Sequence, residues 1–418
     1  MAERDEILVI GGGAVGVCCA YELARAGRSV RLIERGELCA GCSAGNAGLV
    51  PTSVCGPIAE PGVIGKAMRW LRDPEGPLRI KVRADPKLVR WLWLFRRACN
   101  EHTWRRSLIY TRDLMRASQK LFAERAAESD FDYHQNGILV FYRTAETLEK
   151  GAAAARVLAG MDIRSEVLDA GVVRQRDPRA TNQVAGAIYF PEDAHLDPPP
   201  FVEAMGRLAE KRGARIQTKT EVLALQVSGD KVSAVETTAG TFTAERIVLA
   251  AGSWSPRLAD RLGLPLLIEP AKGYSLTLAG GANGCTHPVR LSDARMVVTP
   301  MSGNLRVTAK LDLVGLNLDL DERRVRNLPQ LAGEYLRFKG DFSGATRWCG
   351  LRPLTPDGLP LLGPHPRAKN LILATGHGIL GLGLAPITGR LIAQLIAGEQ
   401  PAFDLELMRP DRFERPSR

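Results

Sequence analysis

The sequence predicts an α/β protein in which a parallel-sheet domain is shared along the chain with a second α+β domain on a mostly antiparallel sheet. Three observations carry this. A β–turn–α–β unit opens the chain over residues 7–34. Buried strands of the same kind return at 246–252 and 370–376. Between them, residues 263–346 read as short alternating strands divided by turns (KGYSLTL, MVVTP, LRVTAK).

In the opening unit the apolar run Ile7-Leu8-Val9-Ile10 leads into Gly11-x-Gly13-x-x-Gly16. A helix-period segment follows, then a second apolar run, Val30 to Ile33, ending at Glu34. Gly11 permits the tight turn, Gly13 lets backbone approach a pyrophosphate, and Gly16 lets the helix pack close to the strand. The helix N-terminus offers N–H groups and the positive end of its dipole to the phosphates. Glu34 is placed to accept hydrogen bonds from a ribose diol. Together these parts predict a bound adenine dinucleotide, whereas the glycines alone would serve equally well in a ligand-free turn.

The next segment, GCSAGNAGL at 41–49, is too rich in small residues for an ordinary helix or strand and suggests backbone lying against a flat ligand. A Pro/Gly-rich loop over 51–65 leads into helical patterns through about residue 130, and GILVFY at 137–142 alternates as a strand. Asp197 before Pro198–Pro200 reads as a helix cap and first turn. That helix ends at Gly213, and strand signals at 214–227 and toward 238 flank a hairpin turn in VSGDKV. The final strand runs into GHGILGLGLAP, a glycine-rich loop before a closing helix. Because the dinucleotide elements stand at the start, middle and end, the chain must leave and re-enter that domain. The expected division is 1–90, 195–262 and 347–418 for the dinucleotide domain, and 91–194 and 263–346 for a substrate domain.

Composition narrows the function classes. A chain of 418 residues, 45% hydrophobic and 24% charged, is expected to form about two to three soluble globular domains. No apolar run is long enough to span a bilayer, and MAERDE lacks the apolar core of a secretory signal, so a cytoplasmic location is expected. The eight cysteines include one Cys39-x-x-Cys42 pair in the glycine-rich segment, read as reduced thiols in preference to a metal half-site or redox pair, and no metal is expected. The net charge of +10 is scattered, and no nucleic-acid module accompanies it. Basic residues do gather at 87–106, where Lys87, Arg90, Arg96, Arg97, Arg105 and Arg106 surround Trp91-Leu-Trp-Leu-Phe95. Such a helix suits either an ordinary buried packing or peripheral contact with an anionic inner-membrane surface.

Further segments carry a resemblance over nearly the whole length: SAGNAG (43–48), IAEPGVIGKAMRWL (58–71), AKGYSLTL (271–278), WCGLRPLTPDGLPLLG (348–363) and NLILATGHGILGLGLAP (370–386). With these the chain resembles the D-amino-acid oxidase superfamily of FAD enzymes, and within it the small subunit of bacterial D-amino acid dehydrogenase. The resemblance implies a Rossmann-like FAD-binding domain of the glutathione-reductase type and non-covalent FAD. Gly11, Gly13 and Gly16 would hold the pyrophosphate, and Glu34 with Arg35 the adenosine end. Ser43, Asn46, Ala47, Gly48 and Leu49 would line the flavin. Val222 would contact adenine through its backbone, and Gly252 would lie under the dinucleotide. Gly378, Leu380 and Gly381 would aim N–H groups at the flavin pyrimidine edge, where negative charge collects on reduction.

By the same resemblance Arg352 of GLRP would clamp the substrate carboxylate, and Tyr274 would place a hydroxyl over the flavin. Departures accompany it. The second arginine of glycine oxidase falls here on Ile379, and a tyrosine of relatives is replaced in the ARMVV segment near 295. Cys349 is one residue away from the site of covalent flavin attachment in a sarcosine oxidase. The implied activity is oxidative deamination of D-amino acids, D-proline and D-hydroxyproline included, by hydride transfer from Cα to flavin N5. Electrons would pass to a quinone, a dye or a respiratory acceptor. Two alternative readings stay open: an oxidase that uses dioxygen, and the FAD subunit of a hetero-oligomeric amine dehydrogenase.

Overall fold

The computed structural model describes residues 4–282 and 284–414. Two large sheets organise them. In the first, Arg215–Gln217, Val30–Ile33, Arg4–Ile10, Gly240–Leu249 and Ala368–Thr375 lie side by side and parallel. Leu361–His365 closes one edge antiparallel, and a meander of Lys231–Thr237 and Val222–Ser228 extends the early part of the Gly240–Leu249 strand. Ile7, Leu8 and Val9 are wholly buried. A central parallel strand covered on both faces reads as a continuous apolar run, as this one does.

On one face of that sheet lies the first helix, Ala14–Arg25, between the closing helix Ala385–Ala397 and the Pro198–Lys211 helix. Glycine sets how near they come. A Cβ on Gly389 would stand 2.4 Å from the Cys18 carbonyl oxygen, so the first and closing helices touch backbone to backbone. The long Glu101–Glu128 helix buries Leu108, Leu114, Met115, Leu121 and Phe122 in the same core. Asp197 holds the N-cap position of the Pro198–Lys211 helix but makes no capping bond. The reason is local: Pro198, Pro199 and Pro200 leave the first turn without N–H donors.

The second sheet has the order Thr346–Leu354, Glu269–Leu278, Asn304–Leu313, Met296–Met301, Val289–Leu291, Ile138–Tyr142, Gly186–Phe190, Glu166–Asp169. All neighbours along it are antiparallel except Val289–Leu291 beside Ile138–Tyr142, and Leu78–Ile80 joins Asn304–Leu313 in parallel. Its back face packs Tyr274, Leu276, Val298, Val307 and Ala309 against Val325, Leu328, Tyr335 and Leu336. Its front face meets the glycine-rich segment of the first domain, where Arg306 donates to the carbonyls of Ala44 and Asn46 at 2.8 and 2.9 Å.

The mostly antiparallel sheet agrees with the alternating pattern of 263–346. The elements at 145–176 have no counterpart in that reading. The edge strand Glu166–Asp169 buries only Leu168, so it has no regular alternation to detect. All eight cysteines are free thiols. Among the described residues no helix is long and apolar enough to cross a membrane.

The helix contact at Gly389 gives a direct test. Gly389→Ala forces a methyl into the Cys18 carbonyl, and overpacking of this kind costs about 1–3 kcal/mol. The expected outcome is a lower urea midpoint of unfolding with an unchanged denaturant slope.

Candidate dinucleotide and substrate site

One cleft runs along the carboxyl ends of the parallel strands. Gly11, Gly13, Glu34, Arg35, Ser43, Asn46, Val222, Gly252, Gly378 and Gly381 all line it. Its floor is made by close approach. A Cβ on Gly11 would meet the Ala250 oxygen at 2.6 Å, and one on Gly16 would meet the Gly11 oxygen at 1.8 Å. Gly11 also has φ +112°, a left-handed backbone that favours glycine. The first helix begins at Gly13 with no side-chain cap, and the Ala14 N–H donates to Ser43 Oγ at 3.1 Å. Helix dipole and N–H groups thus face the cleft where the motif expects phosphate.

At one end the Glu34 carboxylate is fixed by the N–H groups of Gly12 and Gly36, at 2.7 and 2.9 Å. A carboxylate has lone pairs left after two such bonds. Arg35 stacks on Trp254 with its guanidinium 3.9 Å from the ring centroid, and Thr220 and Val222 complete that wall. At the other end lie Cys42, Thr375, Gly376, His377 and Gly378. The Gly378 N–H donates to the Pro353 carbonyl at 2.9 Å, tying the closing loop to the Arg352 strand.

The remaining expected residues sit behind this surface. Gly16 serves packing. Gly48 has φ +73° and lies against the Leu196 carbonyl, while Leu49 pairs with His195 in a short ladder. Ala47 belongs to the same turn without lining the cleft, and Leu380 is buried in the core beneath it. Trp254, Thr220 and Cys42 are cleft residues outside the expected set, and His377 of the closing glycine-rich loop, expected beside the flavin, lines the cleft as well. Trp254 had a signal in the Gly252-Ser-Trp ending of its strand, whereas Thr220 and Cys42 arrive only through the fold.

Strand alternation decides the substrate side. Along Thr346–Leu354, Trp348, Gly350 and Arg352 share the front face, and Cys349 shares the back with its partner Tyr274. Gly273 sits directly against the Arg352 guanidinium, which a side chain there would displace. Arg352 donates to the Lys310 carbonyl at 2.9 Å. Burial pushes its pKa down, with Cys42 and Asp312 opposing, and among the described residues no carboxylate pairs with it. Tyr274 requires a correction. Its hydroxyl faces the back of the sheet, where it donates to Asp312 at 2.9 Å. Asp312 also receives Arg324 at 2.6 Å and Arg79 at 2.8 Å. Tyr274 is therefore a buried anchor, one pleat out of phase with the front-face residues. Among the described residues no group of three or more His, Cys, Asp or Glu side chains is placed to hold a metal ion.

Residues 6–395 match the family described as FAD dependent oxidoreductase (DAO). The chain belongs to that family. Among curated relatives it is 35% identical to a D-amino acid dehydrogenase of Cereibacter sphaeroides, covering 98% of this chain and 97% of that one. It is 33% identical to the D-amino acid dehydrogenase of Bradyrhizobium diazoefficiens, covering 98% and 99%. Among solved structures, glycine oxidase from Geobacillus kaustophilus superposes with a TM-score of 0.77 at 26% identity, covering 98% and 99%.

FAD is thus the dinucleotide, and the residues present fit it: a glycine floor free of Cβ atoms, a helix whose N-cap Gly13 puts no side chain in the way, and a fixed carboxylate at the adenosine end. His377 lies deep in this cleft, with Nε2 3.0 Å from Thr388 Oγ1.

Burial holds His377 and His195 down to about 3, and His365 to about 4, against an ordinary 6.5. These imidazoles are neutral when folded and take up protons once unfolded. Their contribution to stability is full above pH 6.5 and is lost as pH falls toward 3. Each is worth about 1.4 kcal/mol per pH unit within that window. Unfolding free energy measured between pH 7 and 5 is expected to fall with pH, and His365→Gln to reduce the slope by one proton.

Proposed function

We propose that this chain is an FAD-dependent D-amino acid dehydrogenase, which oxidises the Cα–N bond of a free amino acid to an imine that water hydrolyses to a 2-oxo acid and ammonia. The observation that carries the reading is Arg352: a half-buried guanidinium near Cys42 of the cleft wall, on the sheet face that meets the glycine-rich segment, with no carboxylate partner among the described residues. A planar fork in that state suits bidentate binding of a substrate carboxylate. The D-amino acid dehydrogenases among the relatives support the substrate class and hand.

FAD, when bound, supplies the two-electron acceptor. The protein's own part is positioning and solvation. Arg352 orients the carboxylate, and its bond to the Lys310 carbonyl fixes the guanidinium plane. The desolvated surroundings favour the neutral amine, whose lone pair forms the imine as hydride leaves. His377 is held neutral and engaged with Thr388, so it positions the closing loop in preference to acting as a base. FAD is non-covalent in this reading, because Cys349 faces the back of the sheet with its thiol toward the Leu318 carbonyl at 3.1 Å.

For the electron acceptor, we favour a quinone reached at a membrane surface. On the Pro86–Ala98 helix Trp91 is buried, while Val89 and Trp93 are 65% and 55% exposed. Arg97 lies over the Trp93 ring at 4.8 Å. An exposed indole with basic neighbours is suited to the interface of an anionic bilayer.

Two measurements test these readings. In anaerobic titration, D-amino acids are expected to bleach the flavin and L-enantiomers to leave it oxidised. Arg352→Met is expected to raise the substrate Kd by roughly 10- to 100-fold, the loss of a charged hydrogen-bonded clamp. A yellow protein that no amino acid bleaches would refute the substrate assignment. For the membrane reading, the protein is expected to sediment with phosphatidylglycerol vesicles at low salt and not with phosphatidylcholine. Trp93→Ala is expected to weaken that partition roughly tenfold.

A further inference from the structure

The front face of the second sheet carries more positive charge than one carboxylate clamp needs. Arg290 pairs in register with Val297, Val297 with Thr308, and Thr308 with Ser275, which pairs with Trp348. Paired residues share a face, so Arg290 lies on the face of Trp348 and Arg352, as does Arg306 on an intervening strand. Arg295 sits in the turn that joins the Arg290 strand to its neighbour. It has φ +51°, a left-handed conformation that is costly for arginine and that the fold nonetheless holds there. Its guanidinium stacks on Trp70, 4.2 Å from the ring centroid.

Neither the Arg290 nor the Arg295 side chain forms a hydrogen bond or ion pair with another described residue. Burial presses both guanidinium groups toward neutrality, and the acid that opposes this is Glu60. Glu60 is already engaged by Lys66 at 2.8 Å. Tyr142 also faces Arg290, as does Arg295 itself. The cluster is therefore net positive and half-buried, a setting that favours an anion beside it.

We propose that Arg290 and Arg295 recognise an acidic group on the substrate side chain, so that the preferred substrates are D-amino acids bearing a second carboxylate. This rests on the amino acid reading of the Arg352 clamp. At about 4.8 Å per strand the interval from Arg290 to Trp348 is about 19 Å across the sheet, and Arg352 stands four residues, about 14 Å, further along that strand, which puts it about 24 Å from Arg290 along the sheet surface. Two arginine side chains reaching in from its ends leave a gap suited to a short chain with an acid at each end. The same basic pair would disfavour lysine- or arginine-like substrates. Neutral side chains would leave both guanidinium groups without a counter-charge.

The holoenzyme tests this by two readouts. Without turnover, glutarate and butyrate are titrated against the flavin absorbance, and glutarate is expected to bind at least tenfold more tightly. In anaerobic reduction, D-glutamate and D-aspartate are expected to exceed D-norvaline and D-alanine at least tenfold in rate over Kd. Arg290→Met and Arg295→Met are each expected to lower the acidic-to-neutral ratio, and Arg295→Lys, which keeps the charge, to retain most of it. Equal binding of glutarate and butyrate, or faster reduction by D-norvaline, would overturn the proposal. If no amino acid reduces the flavin while glutarate still binds tenfold better, the dianion site stands and the dehydrogenase reading fails.

Discussion

Close approach of backbone to backbone at the Gly11–Gly16–Ala250 junction is the constraint on which the rest depends. The opening turn, the first helix and the Gly240–Leu249 strand converge there with no room for a single Cβ at Gly11 or Gly16. That contact sets where the helix begins, and so where its N–H groups point. It also brings Glu34, Ser43 and Val222 from three distant segments to one cleft. The helix crossing at Gly389 repeats the device on the covered face, seating the closing helix that follows the Gly376–Gly381 loop. Cofactor site and core are therefore one packing problem. A side chain at either crossing would disturb both.

The second sheet solves a different problem, the burial of positive charge. Its back face neutralises charge internally: Asp312 gathers Arg324, Arg79 and the Tyr274 hydroxyl. Its front face does not. Arg306 is satisfied by carbonyls, Arg352 by one carbonyl, and Arg290 and Arg295 by an aromatic face and a shared acid. A buried ion pair satisfied within the protein is structural, whereas buried cations left short of anions on one face describe the charge of what binds there. The pleat separates these roles by a single residue, which is why Cys349 and Arg352 can be near neighbours in sequence and serve opposite faces.

Much of this was legible in the chain because it is local. Gly11, Gly13, Gly16 and Glu34 declare a dinucleotide turn by spacing, and the return of buried strands near 247 and 371 declares a domain entered three times. The antiparallel sheet announces itself by alternation. What escaped depends on register. Tyr274 was placed over the flavin because its strand was recognised and its phase was not. The phase is set by pairing with Thr346–Leu354, a strand that Pro353 and Gly350 disguise as a turn. Arg295 lay in a segment noted for departing from relatives and Arg290 just before it, but their charge acquired meaning only when the fold placed both beside a single acid already engaged by Lys66.

The sequence by itself determined the cofactor turn with Gly11, Gly13 and Gly16 and the alternation of two sheet types, because each is a matter of residue type at short spacing, while Arg352 was singled out by the family resemblance of its GLRP segment. Tertiary structure alone decided which face each strand turns to the cleft, which acids neutralise which cations, and that Trp254 stacks on Arg35. Those are contacts between segments up to hundreds of residues apart. Their geometry is set by sheet register and by helices meeting at glycine, which no local pattern encodes.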